Sequence, residues 1–277
     1  MATVLSVSSQ VVLGHVGNSA AVFALQRLGH EVWALPTVIL AHHPGHDRAV
    51  PRAVTRASTI AAWLEALERR GVAATIDAVL VGCLGEARQA GAIAAALARL
   101  KSSRPDLLVA LDPVIGDEGA LYVAEPVAAA LRDSLLPLAG IATPNAFELG
   151  WLSGGGVMGP EAAVRAARAL GPGEVLVTSA PGAPSGAVRS LLVTRAAAFA
   201  CDTPLIAHAA HGAGDLMAAL YQGHRLLGRP PENALARAAA GVAAVLAETA
   251  RRGGDELALV AAQASLDRAS AAPVVRL

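Results

Sequence analysis

Short apolar segments alternate with alanine-rich amphipathic segments along nearly the whole chain, and this alternation restricts the fold most strongly. The apolar segments are residues 4–7, 31–35, 78–81, 107–111, 140–142, 175–178, 191–194 and 197–201. Helical periodicity covers residues 18–28, 58–70, 89–100, 126–131, 160–170, 214–227, 231–251 and 255–264. Short apolar strands between longer helices are typical of a parallel sheet that is covered on both faces. The sequence therefore predicts an α/β fold with a mostly parallel central sheet and helices on both faces.

The last two strand candidates, 191–194 and 197–201, have no helix between them and predict a hairpin. Neither a low-complexity linker nor an internal repeat divides the 277 residues. One α/β domain can span this length. We therefore expect a single domain over residues 1–277.

Composition excludes several classes of protein. The chain has 22 basic and 22 acidic side chains, which argues against the basic surface of a dedicated nucleic-acid binder. It is 54% hydrophobic and only 16% charged, which argues against disorder. No uninterrupted apolar run reaches the roughly 18 residues of a membrane span, and the first residues lack the basic start of a secretory signal. We expect a cytoplasmic protein without a nucleic-acid or membrane partner.

The cysteine and lysine contents limit the chemistry. Cys83 and Cys201 are too few for a disulfide framework and match no zinc spacing, so both are predicted to be small buried hydrophobes. Lys101 is the only lysine and lies near the end of a predicted helix. A P-loop needs a Gly-Lys-Ser/Thr segment, and a Schiff-base enzyme needs a lysine in its pocket. The sequence excludes both mechanisms.

Ligands of open α/β sheets bind beyond the carboxyl ends of the strands, so functional residues are expected in the loops that follow strands. The strongest candidate is His211-Gly212-Ala213-Gly214-Asp215, at the start of a predicted helix. Small residues allow backbone N–H groups to approach an anion, and a helix N-terminus favours negative charge. Asp215 could orient a hydroxyl and accept its proton during phosphoryl transfer. The alternative interpretation is an ordinary capped helix start.

Two further loops carry carboxylates. In Thr143-Pro144-Asn145-Ala146-Phe147-Glu148, Asn145 and Glu148 are three residues apart and face the same way on a helix start. They could support a hydrated Mg²⁺ or form a capping box, and we expect both. Asp112 follows a predicted buried strand and precedes Pro113, so it is expected to point into the cleft. A turn-forming aspartate is the alternative.

The fourth loop covers residues 8–20. Ser9 lies at the predicted end of the first strand, and the glycines stand as Gly14-x-x-Gly17. This is not the G-x-G-x-x-G fingerprint of dinucleotide binding, and no acidic residue follows the second strand, so an α/β dehydrogenase is excluded. For Asn18 and the serine after it, the simplest interpretation is a helix N-cap.

Together these loops resemble the pyridoxal kinases of the ribokinase-like superfamily, over nearly the whole chain. The segments that carry the resemblance are Val11-Val12-Leu13-Gly14-His15-Val16-Gly17-Asn18-Ser19-Ala20-Ala21, Asp112-Pro113-Val114-Ile115-Gly116, Pro144-Asn145 with Glu148, Gly212-Ala213-Gly214-Asp215 and Val260-Ala261-Ala262-Gln263. The glycine-aspartate loop is shared by sugar, nucleoside and vitamin kinases. The first of these segments narrows the resemblance to vitamin B6.

The resemblance implies transfer of the γ-phosphoryl group of ATP to the 5′-hydroxymethyl of pyridoxal, with pyridoxine and pyridoxamine as further candidate substrates. In this family pattern Asp215 is the catalytic base, and Gly212, Ala213 and Gly214 form the anion hole. The implied ATP contacts are Asp112, Thr143, Glu148 and Thr178. The implied holders of Mg²⁺ are Asp112 and, through water, Glu148, with Asn145 in support. The implied substrate contacts, besides Asp215, are Ser9, His46 and Cys83.

The resemblance further implies a homodimer, a lid loop at about residues 36–52 and, as a candidate, a monovalent cation such as K⁺. Three positions depart from the family pattern: His46 and Cys83 stand where tyrosines are frequent, and Thr178 stands where some members have a lysine. His42, His43 and His46 also permit a zinc interpretation, which Pro44-Gly45 disfavours because it interrupts a regular ligand face. A hydroxymethylpyrimidine kinase and a non-catalytic B6-binding protein remain alternatives.

Overall fold

The computed structural model describes residues 1–47, 49–117, 119–206 and 210–277. The strands in this part are β1 (Thr3–Val11), β2 (Glu31–Leu40), β3 (Arg52–Val54), β4 (Ala78–Val81), β5 (Leu108–Leu111), β6 (Gly116–Asp117), β7 (Ala120–Leu121), β8 (Ile141–Ala142), β9 (Glu174–Ala180), β10 (Ala187–Thr194), β11 (Ala198–Pro204) and β12 (Val274–Arg276). The helices are α1 (Asn18–Arg27), α2 (Ala57–Arg69), α3 (Ala87–Ser103), α4 (Glu125–Ala130), α5 (Ala146–Ser153), α6 (Pro160–Ala169), α7 (Ala213–Leu226), α8 (Pro231–Arg252) and α9 (Ser265–Arg268).

Ten strands form one sheet in the order β12-β11-β10-β9-β8-β5-β4-β1-β2-β3. The six central strands, from β9 to β2 in this order, are parallel to one another. At the two edges, β10, β11 and β12 on one side and β3 on the other are added in antiparallel pairings. The prediction of a mostly parallel sheet is confirmed, and so is the late hairpin, which is formed by β10 and β11. β6 and β7 form a separate two-stranded ribbon.

Hydrophobic cores lie on both faces of the sheet, as predicted. Successive side chains of a strand point to opposite faces, so Val4 and Leu80 pack with α1, α7 and α8, whereas Leu5 and Val79 pack with α2, α3 and α4. This two-sided burial explains why β4 and β5 are apolar at every position. Within the described residues, no helix is both long and apolar enough to cross a bilayer.

The structure corrects two predicted elements. β2 continues to Leu40 rather than ending at residue 35, because its second half pairs with both β1 and the edge strand β3. The predicted helix 255–264 is wrong. Beyond the left-handed C-cap Gly253, Glu256 forms an isolated bridge with His211, and the chain becomes helical only at Ser265–Arg268. Tertiary pairing therefore overrides the helical periodicity of this segment.

The N-cap interpretation of Asn18 is also wrong. Gly17 occupies the N-cap position of α1, and Asn18 is completely buried. The Asn18 amide nitrogen donates to the carbonyl oxygens of Ser8 and Leu35, at 3.1 and 3.3 Å, and its Oδ1 accepts from Ser6 Oγ at 2.7 Å. One buried amide therefore joins α1 to both β1 and β2, the strands that border the first loop.

Replacing Asn18 by alanine is expected to lower the free energy of unfolding by about 3 kcal/mol, because it removes three buried hydrogen bonds and creates a cavity. Denaturant unfolding followed by circular dichroism measures the change. Gln26→Ala, at an exposed position of the same helix, is the control and is expected to change stability by less than about 0.5 kcal/mol. Equal stability of the two variants would contradict a structural role for the Asn18 amide.

Candidate active site

The crevice of the site lies where the strand order changes direction. β1 pairs with β2 on one side and with β4 on the other, and such switch points bind ligands beyond the carboxyl ends of the strands. A small cavity of about 10 Å³ opens at this point. Its lining includes Ser8, Gly82, Asp112 and Asp215. The fold therefore brings the Asp112 loop and the first loop, residues 8–20, to the same place as the glycine-aspartate loop.

Asp112 directly follows β5, and its carboxylate is buried, with 7% of the residue exposed. Asp112 Oδ1 accepts a hydrogen bond from Thr143 Oγ1 at 2.9 Å, which joins two residues that were predicted to contact ATP. Burial, and then the negative charges of Asp215 and Glu148, raise the pKa of Asp112 well above its ordinary value. The charges of Asp215 and Glu148 therefore disfavour the charged form of Asp112.

The Asn145–Glu148 pair forms the predicted capping box at the start of α5. Asn145 Oδ1 accepts from the Glu148 backbone N–H at 2.9 Å, and Glu148 Oε2 accepts from the Asn145 backbone N–H at 2.8 Å. Asn145 Nδ2 also donates to the Gly116 carbonyl, so both the oxygen and the nitrogen of this amide are hydrogen-bonded. Burial raises the pKa of Glu148 to about 7, although backbone N–H groups favour its charged form.

Asp215 lies in the first turn of α7, directly after the predicted anion loop. Burial raises the pKa of its carboxyl to about 6, against the opposing effect of a hydrogen bond from the Gly17 backbone. Gly212 has a left-handed φ of +98°, and a Cβ there would lie 2.2 Å from the His15 carbonyl oxygen. The anion loop can approach the first loop this closely only because residue 212 is glycine.

Ser9 and Cys83, two predicted substrate contacts, directly follow Ser8 and Gly82, which line the cavity. β1 extends to Val11, so Ser9 is a buried strand residue rather than the end of the strand. Cys83 is only half-buried, unlike Cys201, which is completely buried as predicted. Burial and the nearby Asp215 raise the pKa of Cys83 to about 12, while a hydrogen bond with Ser9 opposes this shift. The charge of Asp215 therefore acts on Cys83, to which Ser9 is hydrogen-bonded.

Thr178 lies near the carboxyl end of β9. Its backbone N–H donates to the Pro144 carbonyl at 2.9 Å, and Asn145 and Thr178 form an isolated parallel bridge. The structure therefore places Thr178 beside the loop that holds Thr143 and Glu148, which accords with the grouping made from the sequence.

The predicted loop 36–52 is shorter than expected, because residues 36–40 continue β2 and Arg52 begins β3. Residues 41–51 connect the two strands, and Arg48 within them lies outside the described residues. His43 stacks on His211 with ring centroids 3.9 Å apart. His46 Nε2 lies 2.6 Å from Glu256 Oε1. His46 therefore contacts a residue that was not among the predicted site residues.

The histidines of this loop do not form a recognisable zinc site. Among the described residues, no three His, Cys, Asp or Glu side chains are grouped so that they could hold a metal ion by themselves. The Nδ1 atoms of His42 and His43 lie within hydrogen-bonding distance of local backbone groups, the His43 carbonyl and the Gly45 N–H.

The sequence did not predict two side chains, Gln89 and Glu256, that connect segments around the crevice. Gln89 is completely buried at the start of α3, and its amide donates to the carbonyls of Thr37 and Thr55, which ties α3 to β2 and to the chain after β3. Glu256 was assigned to a helix that does not form. For Gln89, the only feature in the sequence was a polar residue at the start of a predicted amphipathic helix, which is a weak indication of a structural role. For Glu256, the only feature was its closeness to the 260–263 segment.

Comparisons with known proteins agree with this geometry. A family model described as phosphomethylpyrimidine kinase matches residues 37–258. The chain is 43% identical to pyridoxal kinase PdxY of Rubrobacter xylanophilus over 280 residues, which cover 99% of this chain and 95% of that protein. It is 42% identical to the pyridoxine/pyridoxal/pyridoxamine kinase of Bordetella pertussis, with 92% of each chain covered.

A solved structure of the same kind has a closely similar fold. Pyridoxal kinase from Leishmania donovani in complex with ADP and pyridoxamine superposes with a TM-score of 0.94 and 29% identity over 100% of both chains. The chain therefore belongs to the pyridoxal kinase family and has its ribokinase-like fold.

Proposed function

We propose that this chain transfers the γ-phosphoryl group of ATP to the 5′-hydroxymethyl group of pyridoxal and produces pyridoxal 5′-phosphate for vitamin B6 salvage. The observation that carries the proposal is the convergence of Asp215, the glycine-rich start of α7 and Asp112 in one crevice. Relatives named pyridoxal kinase, at 37–43% identity over nearly the whole chain, support the choice of substrate.

The proposed reaction uses Asp215 as the base. As the hydroxymethyl oxygen forms its bond to the γ-phosphorus, its proton passes to the Asp215 carboxylate and the bond to ADP breaks. The backbone N–H groups of Gly212, Ala213 and Gly214 at the start of α7 would stabilise the charge on the transferring group. Since the only lysine, Lys101, has its Nζ bound to the Leu138 carbonyl, this chain does not rely on a lysine for that charge.

The substrate is proposed to bind between Ser9, Cys83 and the residue 41–51 loop. Ser8 and Gly82, the chain neighbours of Ser9 and Cys83, line the cavity together with Asp215, so a heteroaromatic alcohol bound beside them would present its hydroxyl to the base. The loop would act as a lid that excludes water, which otherwise competes as the phosphoryl acceptor. His46 is proposed to form part of this cover.

The acidic residues of the crevice fit a magnesium ion that accompanies ATP. Asp112 and Glu148 are buried carboxylates whose pKa values are raised, and a nearby divalent cation would favour their charged forms. When bound, Mg²⁺ would neutralise charge on the ATP phosphates. Asp112 would hold it, and Glu148, whose two oxygens already accept backbone N–H groups, would act through water. Asn145 would support the site by orienting Glu148.

ATP is proposed to lie beside Thr143 and Thr178 and to extend toward the β10–β11 hairpin and α7. A monovalent cation such as K⁺, a homodimeric state and a cytoplasmic location belong to the same proposal, on the strength of the family resemblance. Size-exclusion chromatography with light scattering tests the dimer, and activity in K⁺ against Na⁺ buffers tests the cation.

A hydroxymethylpyrimidine kinase is the second candidate function. The matching family model carries a phosphomethylpyrimidine kinase description. Cys83 and His46 also replace the aromatic residues that the resemblance led us to expect, which changes the walls of the substrate pocket. Both candidates use the same base and anion loop, so only the acceptor alcohol distinguishes them.

ADP release with Mg-ATP is expected to be fastest with pyridoxal among pyridoxal, pyridoxine, pyridoxamine and hydroxymethylpyrimidine, offered separately. The expectation rests on the crevice and on the relatives named pyridoxal kinase. A coupled assay measures the rate, and omission of the alcohol gives the background hydrolysis. Turnover with hydroxymethylpyrimidine alone would replace the substrate and keep the mechanism. No turnover despite measurable pyridoxal binding would assign the chain to the non-catalytic alternative.

A further inference from the structure

One carboxylate outside the predicted site connects three segments that surround the crevice. Glu256 follows α8 in sequence, and its side chain is 18% exposed. Its Oε1 lies 2.6 Å from His46 Nε2 in the residue 41–51 loop, and its Oε2 accepts from the His15 backbone N–H at 3.3 Å. The Glu256 backbone forms an isolated parallel bridge with His211, next to the anion loop.

The contact between Glu256 and the first loop is close. A Cβ on Gly14 would lie 2.0 Å from Glu256 Oε2, and Gly14 has a left-handed φ of +94°. The carboxylate therefore occupies the space that a side chain at residue 14 would need. Because a carboxylate oxygen only accepts hydrogen bonds, the His46 Nε2–H and the His15 N–H both donate to it.

The residue 41–51 loop also packs against the start of the anion loop. The His43 ring stacks on the His211 ring, and a Cβ on Gly45 would lie 2.2 Å from His211 Nε2. These contacts are non-directional stacking and packing. At the base of the loop the Leu13 backbone N–H donates to the Ala41 carbonyl at 2.9 Å, and the His46–Glu256 hydrogen bond is the directional side-chain contact that holds the far part of the loop.

We propose that Glu256 is a positioning residue that holds the residue 41–51 loop, the first loop and the anion loop in one fixed arrangement over the substrate. The inference rests on the proposed kinase function and adds to it a residue that is not among the proposed substrate and ATP contacts. Asp255, the adjacent carboxylate, has an 81% exposed side chain and its Oδ2 lies 3.7 Å from His46 Nδ1, so it cannot replace Glu256 in this role.

The first test measures loop order without any substrate. In Glu256→Ala, amide hydrogen exchange of residues 41–47 is expected to be about tenfold faster than in the wild type, while exchange in the central strands stays unchanged. Asp255→Ala is the matched control and is expected to leave the loop at the wild-type rate. Unchanged exchange of the loop in Glu256→Ala would overturn the proposal. Because no substrate is present, this result does not depend on the proposed function.

The second test is a kinetic double-mutant cycle. Glu256→Ala and His46→Ala are each expected to lower kcat/KM for pyridoxal about tenfold, mainly through KM, and the double variant is expected to lose no more than either single variant. The KM for ATP is expected to change less than about twofold. Additive losses would overturn the coupling of Glu256 to His46.

Two variants keep the tests decisive if Glu256→Ala does not fold. Glu256→Gln keeps the shape of the side chain and one acceptor oxygen, and His46→Ala changes only a surface-loop side chain that is 25% exposed. Faster loop exchange in both variants supports the proposal, and wild-type exchange in both contradicts it. If neither pyridoxal nor hydroxymethylpyrimidine is phosphorylated by the wild type, the proposed function fails while the exchange result still decides the role of Glu256 in loop order.

Discussion

Asp215→Asn is expected to lower kcat by about a thousandfold while the dissociation constant of pyridoxal changes little, since general-base catalysis contributes 10²–10⁴-fold and asparagine keeps the shape of the side chain. The reason is structural. Asp215 lies in the crevice beside Asp112 and directly after the anion loop. Rapid-quench measurement of phosphorylated product, together with calorimetric binding of pyridoxal, separates the two quantities. A variant that retains more than a tenth of the wild-type kcat would exclude Asp215 as the base.

The same carboxyl predicts the acid limb of the pH profile. Burial raises the pKa of Asp215 to about 6, and the base must be deprotonated to accept the hydroxyl proton. The kcat/KM for pyridoxal is therefore expected to rise through about pH 6 and to level off above it. Glu148, with its pKa raised to about 7, is a further carboxyl in the site expected to titrate in this range.

Asp215→Asn is expected to stabilise the fold even though it removes activity. Because the folded-state pKa of Asp215 lies above its ordinary value, the folded protein binds more protons than the unfolded chain between about pH 4 and 6. The charged Asp215 therefore destabilises the fold at neutral pH, and this penalty diminishes as the pH falls through 6. Asp215→Asn is expected to raise Tm by a few degrees at pH 7.5 and by less at pH 5. A lower Tm for the variant at pH 7.5 would contradict this linkage.

Gly212→Ala is expected to lower the free energy of unfolding by about 2 kcal/mol and kcat/KM by about a hundredfold. Residue 212 has a φ of +98°, and an added Cβ would lie 2.2 Å from the His15 carbonyl oxygen, which is backbone and has little room to move. The first loop and the anion loop would have to separate, and the N–H groups at the start of α7 would be displaced. Denaturant unfolding and steady-state kinetics measure the two effects.

Gly214→Ala provides the control for stability. Residue 214 has no left-handed φ, and a Cβ there would meet no atom within 4 Å, so the free energy of unfolding is expected to stay within about 0.5 kcal/mol of the wild type or to rise. If Gly212→Ala were as stable as Gly214→Ala, the close contact between the two loops would not be a constraint on the fold.

Local patterns in the sequence were sufficient for the layers of the fold and for most of the proposed site. β4 and β5 are apolar at every position because both of their faces are buried, and this pattern is recognisable in the sequence alone. Asp112, Thr143, Glu148 and Asp215 could be found because each follows a strand or begins a helix, and the carboxyl ends of parallel strands meet at one edge. The Asn145–Glu148 capping box depends on residues three apart and was predicted for the same reason.

What the sequence could not contain are contacts between distant segments, because no local periodicity encodes them. Glu256 was assigned to a helix on its amphipathic pattern, but it meets His46 some 210 residues away and forms a bridge with His211. Asn18 looked like a helix cap and is instead a buried bridge between α1, β1 and β2. Sequence periodicity thus predicted most of the secondary structure, and the loop motifs predicted the candidate site residues, whereas only three-dimensional packing decided which distant segments Asn18 and Glu256 contact.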